Sequence, residues 1–351
     1  MVRLSLSALL SGIERAEVYS TLAFLLWLGI GSIALYLPFY LTLTSQAQGI
    51  GLAYYAKTPL HSYLLQFGLW LLPIGAAIAV EARQATVCVD SPLFAWRRFL
   101  ALWAILWLLP WLLTLVMGSP GRFLIGVGMS LMAGPWLLLF LSAALALVLL
   151  LVWRDLRGEG TAGDEAAIFR HLLVLLGLGL TYVTEFFYLR DLFDTRMNTI
   201  FKVYYQAWVL LSLGAVLSVA YLWQMGGKRR LVVLGSALLL VSALYYPVAA
   251  AYSKAEGYSG QPTLDGTAFL KTESPQEYGA YTWLKEHAQL GDILLEGVGE
   301  DYYPSHDRLS AWTGVPTILG WPGHEAQWRG NDTLVAERQP DVEAIYTSSD
   351  A

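Results

Sequence analysis

Long apolar runs alternate with short polar breaks along most of the chain, and the runs approach the ~20 residues that a helix needs to cross bilayer hydrocarbon. The pattern predicts seven spans, at 20–43, 61–80, 99–117, 134–153, 171–184, 203–225 and 231–251. The fifth is short because it runs on into a charged stretch. Pro38, Pro73 and Pro110 fall inside spans and are expected to kink them, which a bundle tolerates where neighbours satisfy the freed carbonyls. Beyond Ala251 the texture becomes that of a water-soluble module. Ser274-Pro275-Gln276-Glu277 reads as a capping box, Tyr278, Tyr281, Trp283 and Leu284 follow at helical spacing, and Gly291 is placed to stop that helix. Residues 292–296 and 316–321 read as short buried strands. The expected fold is a polytopic α-helical membrane domain over 1–251, followed by a small α/β extracytoplasmic module over 252–351. One helix and two or three strands make a thin core, so the module is expected to be incomplete.

Composition agrees with a lipid bilayer as the main partner: 56% of residues are hydrophobic and 14% charged. Residues 1–251 hold 16 Lys/Arg against 11 Asp/Glu, and 252–351 hold 6 against 16, which implies two regions in different solvents. The basic residues collect in alternate loops, with Arg83, Arg97 and Arg98 in one, Arg154, Arg157 and Arg170 in the next, and Lys228, Arg229 and Arg230 in the last. This bias predicts a cytoplasmic N-terminus and places the stretch after the fifth span, together with the module, on the outer face. The opening twenty residues read as an amphipathic lead-in rather than a signal peptide. With Cys88 the sole cysteine, an intrachain disulfide and a cysteine-based zinc site are excluded. No basic run points to nucleic acid.

The stretch EFFYLRDLFDTRMNTIFK, 185–202, packs six charged side chains between two apolar spans. Read as helix, it puts Tyr188, Asp191, Asp194 or Thr195, Asn198, Lys202 and Tyr205 along one side, with Arg190 four residues from Asp194. A charge at membrane depth costs roughly 2.5–3.5 kcal/mol, so six persist only at the water boundary or around a polar cavity. An interfacial turn whose bases touch lipid phosphates would also satisfy that constraint. As a site, Arg190, Arg196 and Lys202 would hold a phosphate or pyrophosphate, with Asn198 and Tyr205 beside them. Asp191, Asp194 and Glu185 are the candidate catalytic acids, to orient those bases, hold a divalent cation, or act as general base on an acceptor hydroxyl. An anionic substrate with an apolar tail at the outer boundary points to a polyprenyl-phosphate sugar.

A second constellation, RLSAWTGVPTILGWPGHEAQWRG, 308–330, offers Trp321 and Trp328 to stack on a sugar ring, with His324, Glu325 and Arg329 as polar partners. The alternative is a turn with tryptophans capping a small core. His324-Glu325 lacks the second histidine of a zinc-binding helix, Trp328 standing at that position, so no metal ligand set is drawn. GEDYYPSHDR, with Glu300, Asp301, His306 and Asp307, reads as a solvated loop or a cation site.

Together with PTLDG at 262–266, these two motifs resemble the YYY membrane-protein family, hydrophobic prokaryotic proteins grouped with the GT-C fold of lipid-phosphate-dependent glycosyltransferases. The resemblance implies an integral protein of a prokaryotic plasma membrane, a GT-C-like bundle, and glycosyl transfer from a polyprenyl-phosphate donor. Two departures accompany it. The first external loop, TSQAQGIGLAYYAKTPL, has no acid where GT-C enzymes are expected to keep a catalytic one, and tyrosines occur only as pairs such as Tyr54-Tyr55 and Tyr204-Tyr205. The chain is therefore expected to be the later part of a longer member, or one half of a split protein whose partner supplies the N-terminal half. On that reading the Asp191 cluster binds donor phosphate or completes the site. A transporter or flippase of lipid-linked substrates and a non-catalytic scaffold are the competing functional classes.

Overall fold

The computed structural model describes residues 15–42, 47–55, 57–87, 92–133, 135–156, 165–191, 193–299 and 306–349. Two compact units account for them: Gly49–Ala251 form one, and Arg15–Gln48 belong with Tyr252–Ala351 in the other. Among the described residues six helical segments are long and apolar enough to span a bilayer, and a shorter apolar helix covers Leu22–Leu35.

The first predicted span is divided into α1 (Arg15–Leu35) and α2 (Leu37–Thr42). Pro38 explains the break, because it has no N–H for the carbonyl a turn earlier and is accepted in the first turn of the new helix. Pro73 and Pro110, by contrast, sit within continuous helices, α3 (Leu60–Val87) and α4 (Pro92–Met117). α5 (Pro120–Ala133) occupies what the sequence suggests is an external loop. α6 (Trp136–Leu156), α7 (Glu165–Val183) and α8 (Met197–Met225) are the next three spans. α9 (Arg229–Ala243) and α10 (Tyr245–Lys254) together make the last.

α3, α6, α7 and α8 enclose the core, where Phe67, Leu141, Leu178 and Leu211 are fully buried. Lipid tails are as apolar as these side chains, so burial from water does not by itself hold helices together here; close packing and polar contacts do. Both are present. Gly177 of α7 faces Leu211 of α8, where an added Cβ would lie 2.7 Å from Leu211 Cγ, and at Gly214 it would lie 2.9 Å from Val174 Cγ2. Polar ties include the Tyr63 and Thr181 hydroxyls at 3.0 Å and the Trp103 indole N–H donating to Ser142 Oγ at 3.0 Å. α9 and α10 stay almost wholly exposed, as lipid-facing helices should.

In the module, α11 (Leu270–Glu273) leads into α12 (Pro275–His287), which begins with Pro275 as the capping box predicts. The box itself does not form: the Ser274 side chain makes no cap bond, and Glu277 instead accepts from Arg308 Nη2 at 2.7 Å. Of the two expected strands, one parallel bridge is present among the described residues, Leu294 to Thr317. α13 (Arg308–Thr313), α14 (Pro322–Arg329) and α15 (Thr333–Thr347) complete the module. The terminal helix that the sequence reading lacks is α15, whose Val335 and Val342 pack on Leu319 to form a small core. Pro340 lies inside it and hides its helical character from the sequence.

Replacing Gly177 by Val should overpack the α7–α8 contact and lower stability by about 1–3 kcal/mol. Gly179→Val, whose Cβ would meet nothing within 4 Å, serves as the control. Thermal unfolding in detergent micelles reads both.

Candidate functional site

The charged stretch is not a continuous helix. Residues 184–186 turn, β2 (Phe187–Leu189) is extended, and helical structure resumes at Met197. β2 pairs antiparallel with β1 (Ile50–Leu52), from the loop that follows the first predicted span, Gly51 opposite Tyr188. The ladder is continued by Ala53 N–H donating to the Phe186 carbonyl at 2.8 Å and Arg190 N–H to that of Gly49 at 2.9 Å. Gly51 is required there: a Cβ would come within 2.3 Å of the Tyr188 ring. The helical spacing drawn through Tyr188, Asp191 and Asp194 is therefore corrected. A strand partner more than 130 residues away overrides local periodicity.

Two layers result. In the inner one Glu185 is buried, 1% exposed, and its carboxylate accepts from Arg196 Nη1 at 2.8 Å, Thr58 Oγ1 at 2.6 Å and Thr58 N–H at 3.2 Å. Arg196, buried too, also donates to the Thr184 carbonyl at 3.0 Å and to Thr58 Oγ1 at 2.9 Å. Lys57 Nζ donates to the carbonyls of Ala53, at 2.6 Å, and Glu185. The rings of Trp111 and Phe186 have centroids 5.3 and 4.9 Å from that ammonium. Burial pushes Lys57 down to about 8, against the opposing pull of Glu185. The first loop thus has no acid of its own, yet its Lys57 and Thr58 complete the surroundings of one.

The outer layer is a rim. Asp191 accepts from Asn198 Nδ2 at 2.6 Å and from the Phe193 N–H at 3.1 Å. Asp194, in left-handed backbone at φ 45°, is gripped by the Tyr188 hydroxyl at 2.8 Å from its carboxylate and the Tyr55 hydroxyl at 2.8 Å from its carbonyl. Arg190 Nε lies 3.4 Å from the same carboxylate, the arginine side chain about half-exposed and that of Asp194 largely in solvent. Lys202 and Tyr205 project from the exposed side of α8. The structure thus brings Arg190, Asp191, Asp194 and Asn198 together and sets Glu185 and Arg196 beneath them. Among the described residues no three acidic or histidine side chains converge as a metal would require.

Trp321, His324, Glu325, Trp328 and Arg329 lie in the module, where with Gly320 they line an open cavity of about 600 Å³. Glu300 and Asp301 fall outside the described residues. His306 and Asp307 do not sit in a solvated loop: the His306 carbonyl accepts from the Trp321 indole at 3.0 Å, and Asp307 is 5% exposed. Burial, then the neighbouring Glu296 carboxylate, push the Asp307 acid up to about 6.

A polar cluster that the sequence reading does not assemble lies at the opposite ends of the spans. Glu81 of α3 bonds Arg170 and, at 2.7 Å, His171 Nε2 of α7, while Asp155 of α6 meets His171 Nδ1 at 2.9 Å and Arg154 Nη2 at 2.6 Å. Arg170 also covers the Tyr221 ring at 4.6 Å. The available signal was the recurrence of acids among the basic residues at span ends.

A family of membrane proteins described as uncharacterized (DUF2298) has a model that matches residues 5–211, more than half of the chain. The chain belongs to that family. The matched part of this DUF2298 member contains both layers of the site and ends before the module. No curated protein and no solved structure matches the chain.

Arg196→Ala leaves Glu185 buried and uncompensated, and should cost about 3–5 kcal/mol of stability. Arg190→Ala, at the solvated rim, should cost at most ~1 kcal/mol. Thermal unfolding of the two variants in one detergent checks the contrast. For Lys57, the folded value of about 8 lies below the unfolded 10.5, so the unfolded chain binds more protons between them. Stability should then rise with pH across that window, and Lys57→Met should remove the rise, as pH-resolved unfolding curves would show.

Proposed function

We propose that the chain is part of a GT-C-type membrane glycosyltransferase, acting at the outer face of a prokaryotic plasma membrane on a polyprenyl-phosphate sugar. One observation carries the reading. The charged rim adjoins a run of exposed apolar side chains on α8, Met197, Phe201 and Tyr205, at 59, 69 and 67% exposure and successive i,i+4 positions. An amphiphile with an anionic head and a hydrocarbon tail matches both parts. Arg190, Asn198 and Lys202 would receive the phosphate, Asp191 and Asp194 would set the orientation of those donors, and the tail would follow the α8 stripe. Each buried methylene contributes about 0.8 kcal/mol, so the stripe supplies affinity and the rim supplies selectivity for the head.

Glu185 takes a different role from the catalytic one that its position in the stretch invites. Its charge is already met by Arg196 and Thr58, so it holds the rim in place. The acid that activates the acceptor would come from Asp191, Asp194 or a partner chain supplying an N-terminal half.

Binding of farnesyl phosphate and farnesol to the full chain in lipid nanodiscs tests the reading. The phosphate should bind on the order of tenfold more tightly, since a charge-assisted contact exceeds about 1.4 kcal/mol. Arg190→Ala with Lys202→Ala should erase the difference without unfolding the protein. Equal affinities in the wild type would overturn the proposal.

A further inference from the structure

The cavity in the module has a chemistry unlike that of the rim. α14 begins on Pro322 and stops at Gly330, in left-handed backbone at φ 76°. Within its two turns, His324 with Trp328 and Glu325 with Arg329 are i,i+4 pairs on adjoining rows of one helix face. Trp321 just precedes the helix, its indole anchored by the 3.0 Å bond to the His306 carbonyl and its ring centroid 5.5 Å from that of His324. Trp328 is 67% exposed, and Glu325 Oε2 accepts from Arg329 Nε at 2.6 Å.

The wall composition selects among ligands. An acyl chain or apolar peptide calls for aliphatic walls, and no aliphatic side chain lines the cavity among the described residues. A phosphate calls for more than one cation, and the single one that lines this cavity among the described residues, Arg329, is already held by Glu325 at 2.6 Å. What these walls do offer is flat indole faces, electron-rich above the ring plane, beside a carboxylate that accepts and a guanidinium that donates. A pyranose complements that set, with polarised C–H bonds on one face and hydroxyls around its edge. At about 600 Å³ the space falls in the range of small-molecule sites and accommodates a short saccharide.

We propose that this cavity is a saccharide-binding site of the module, with Trp328 as the stacking platform, Trp321 as a fixed wall, and Glu325 and Arg329 as hydroxyl partners. The assignment is independent of the lipid reading of the rim. It holds whether or not the membrane unit carries a donor phosphate.

The test is saturation-transfer NMR and calorimetry on the full chain in lipid nanodiscs, which contain no sugar-headed detergent. The probes are maltotriose, cellotriose, mannotriose and chitotriose, with inorganic phosphate and decanoate as the competing chemistries. At least one trisaccharide should bind. Trp328→Ala should weaken it about tenfold, given an aromatic contact worth up to ~1.5 kcal/mol, and Trp328→Phe should recover part of the loss. Glu325→Gln should weaken it as well, while Arg190→Ala should leave it unchanged. Thermal unfolding verifies that each variant is folded; should Trp328→Ala not fold, Trp328→Phe and Glu325→Gln carry the test. The proposal is overturned by binding of none of the trisaccharides or preference for phosphate or decanoate. Insensitivity to both Trp328→Phe and Glu325→Gln, or loss on Arg190→Ala, would overturn it too.

Discussion

A charge removed from water must be met inside the protein, and at the charged stretch the buried Glu185–Arg196 pair meets that demand. Breaking one side of such a pair costs far more than the pair gains over an apolar substitute, so its main effect is specificity of arrangement. Thr58 and Lys57, from the loop before α3, converge on the same point as the ends of α7 and α8. The short β1–β2 ladder and the Tyr55 and Tyr188 bonds to Asp194 then follow from a loop already fastened from within. The rim of Arg190, Asp191 and Asn198 rests on that foundation rather than creating it.

Bilayer-imposed order was the legible part of this sequence. Long apolar runs announced α3, α4 and α6 to α8, because a fixed hydrocarbon thickness leaves a coarse, length-based signal. Contacts between distant residues left none. Gly51 and Tyr188 face each other across strands of three residues each, too short to show alternation. The charged stretch was recognised as special, yet periodicity alone could not separate a buried Glu185 from a solvated Asp191, since both are acids beside aromatics. Lys57 is the only charged residue of 44–60, and Glu81, Asp155 and His171 border three separate apolar runs, so no local pattern links them. Only packing three helices together turns them into one network. In the module, Pro340 concealed α15, whereas the Trp- and Gly-rich 320–330 segment, noticed for its residue types, does line a single cavity.

The two candidate sites differ in the kind of recognition they support. At the rim, solvated charges sit beside an exposed apolar stripe, a combination suited to a ligand that is itself part of the membrane. In the module, indole faces and a neutralised ion pair suit an uncharged polar ligand. The family match covers the first and stops short of the second, so relatives defined by the bundle need not share the cavity.

α7 has one further property. Near its start Arg170 and His171 are held by Glu81 and Asp155, and just past its end Glu185 is held by Arg196 and Thr58. At ~1.5 Å per residue these two moorings are roughly 20 Å apart along one rod. Sliding the rod along its axis by even a single residue's rise would strain buried ionic contacts at both ends. Piston-like displacement of α7 is therefore closed to this protein.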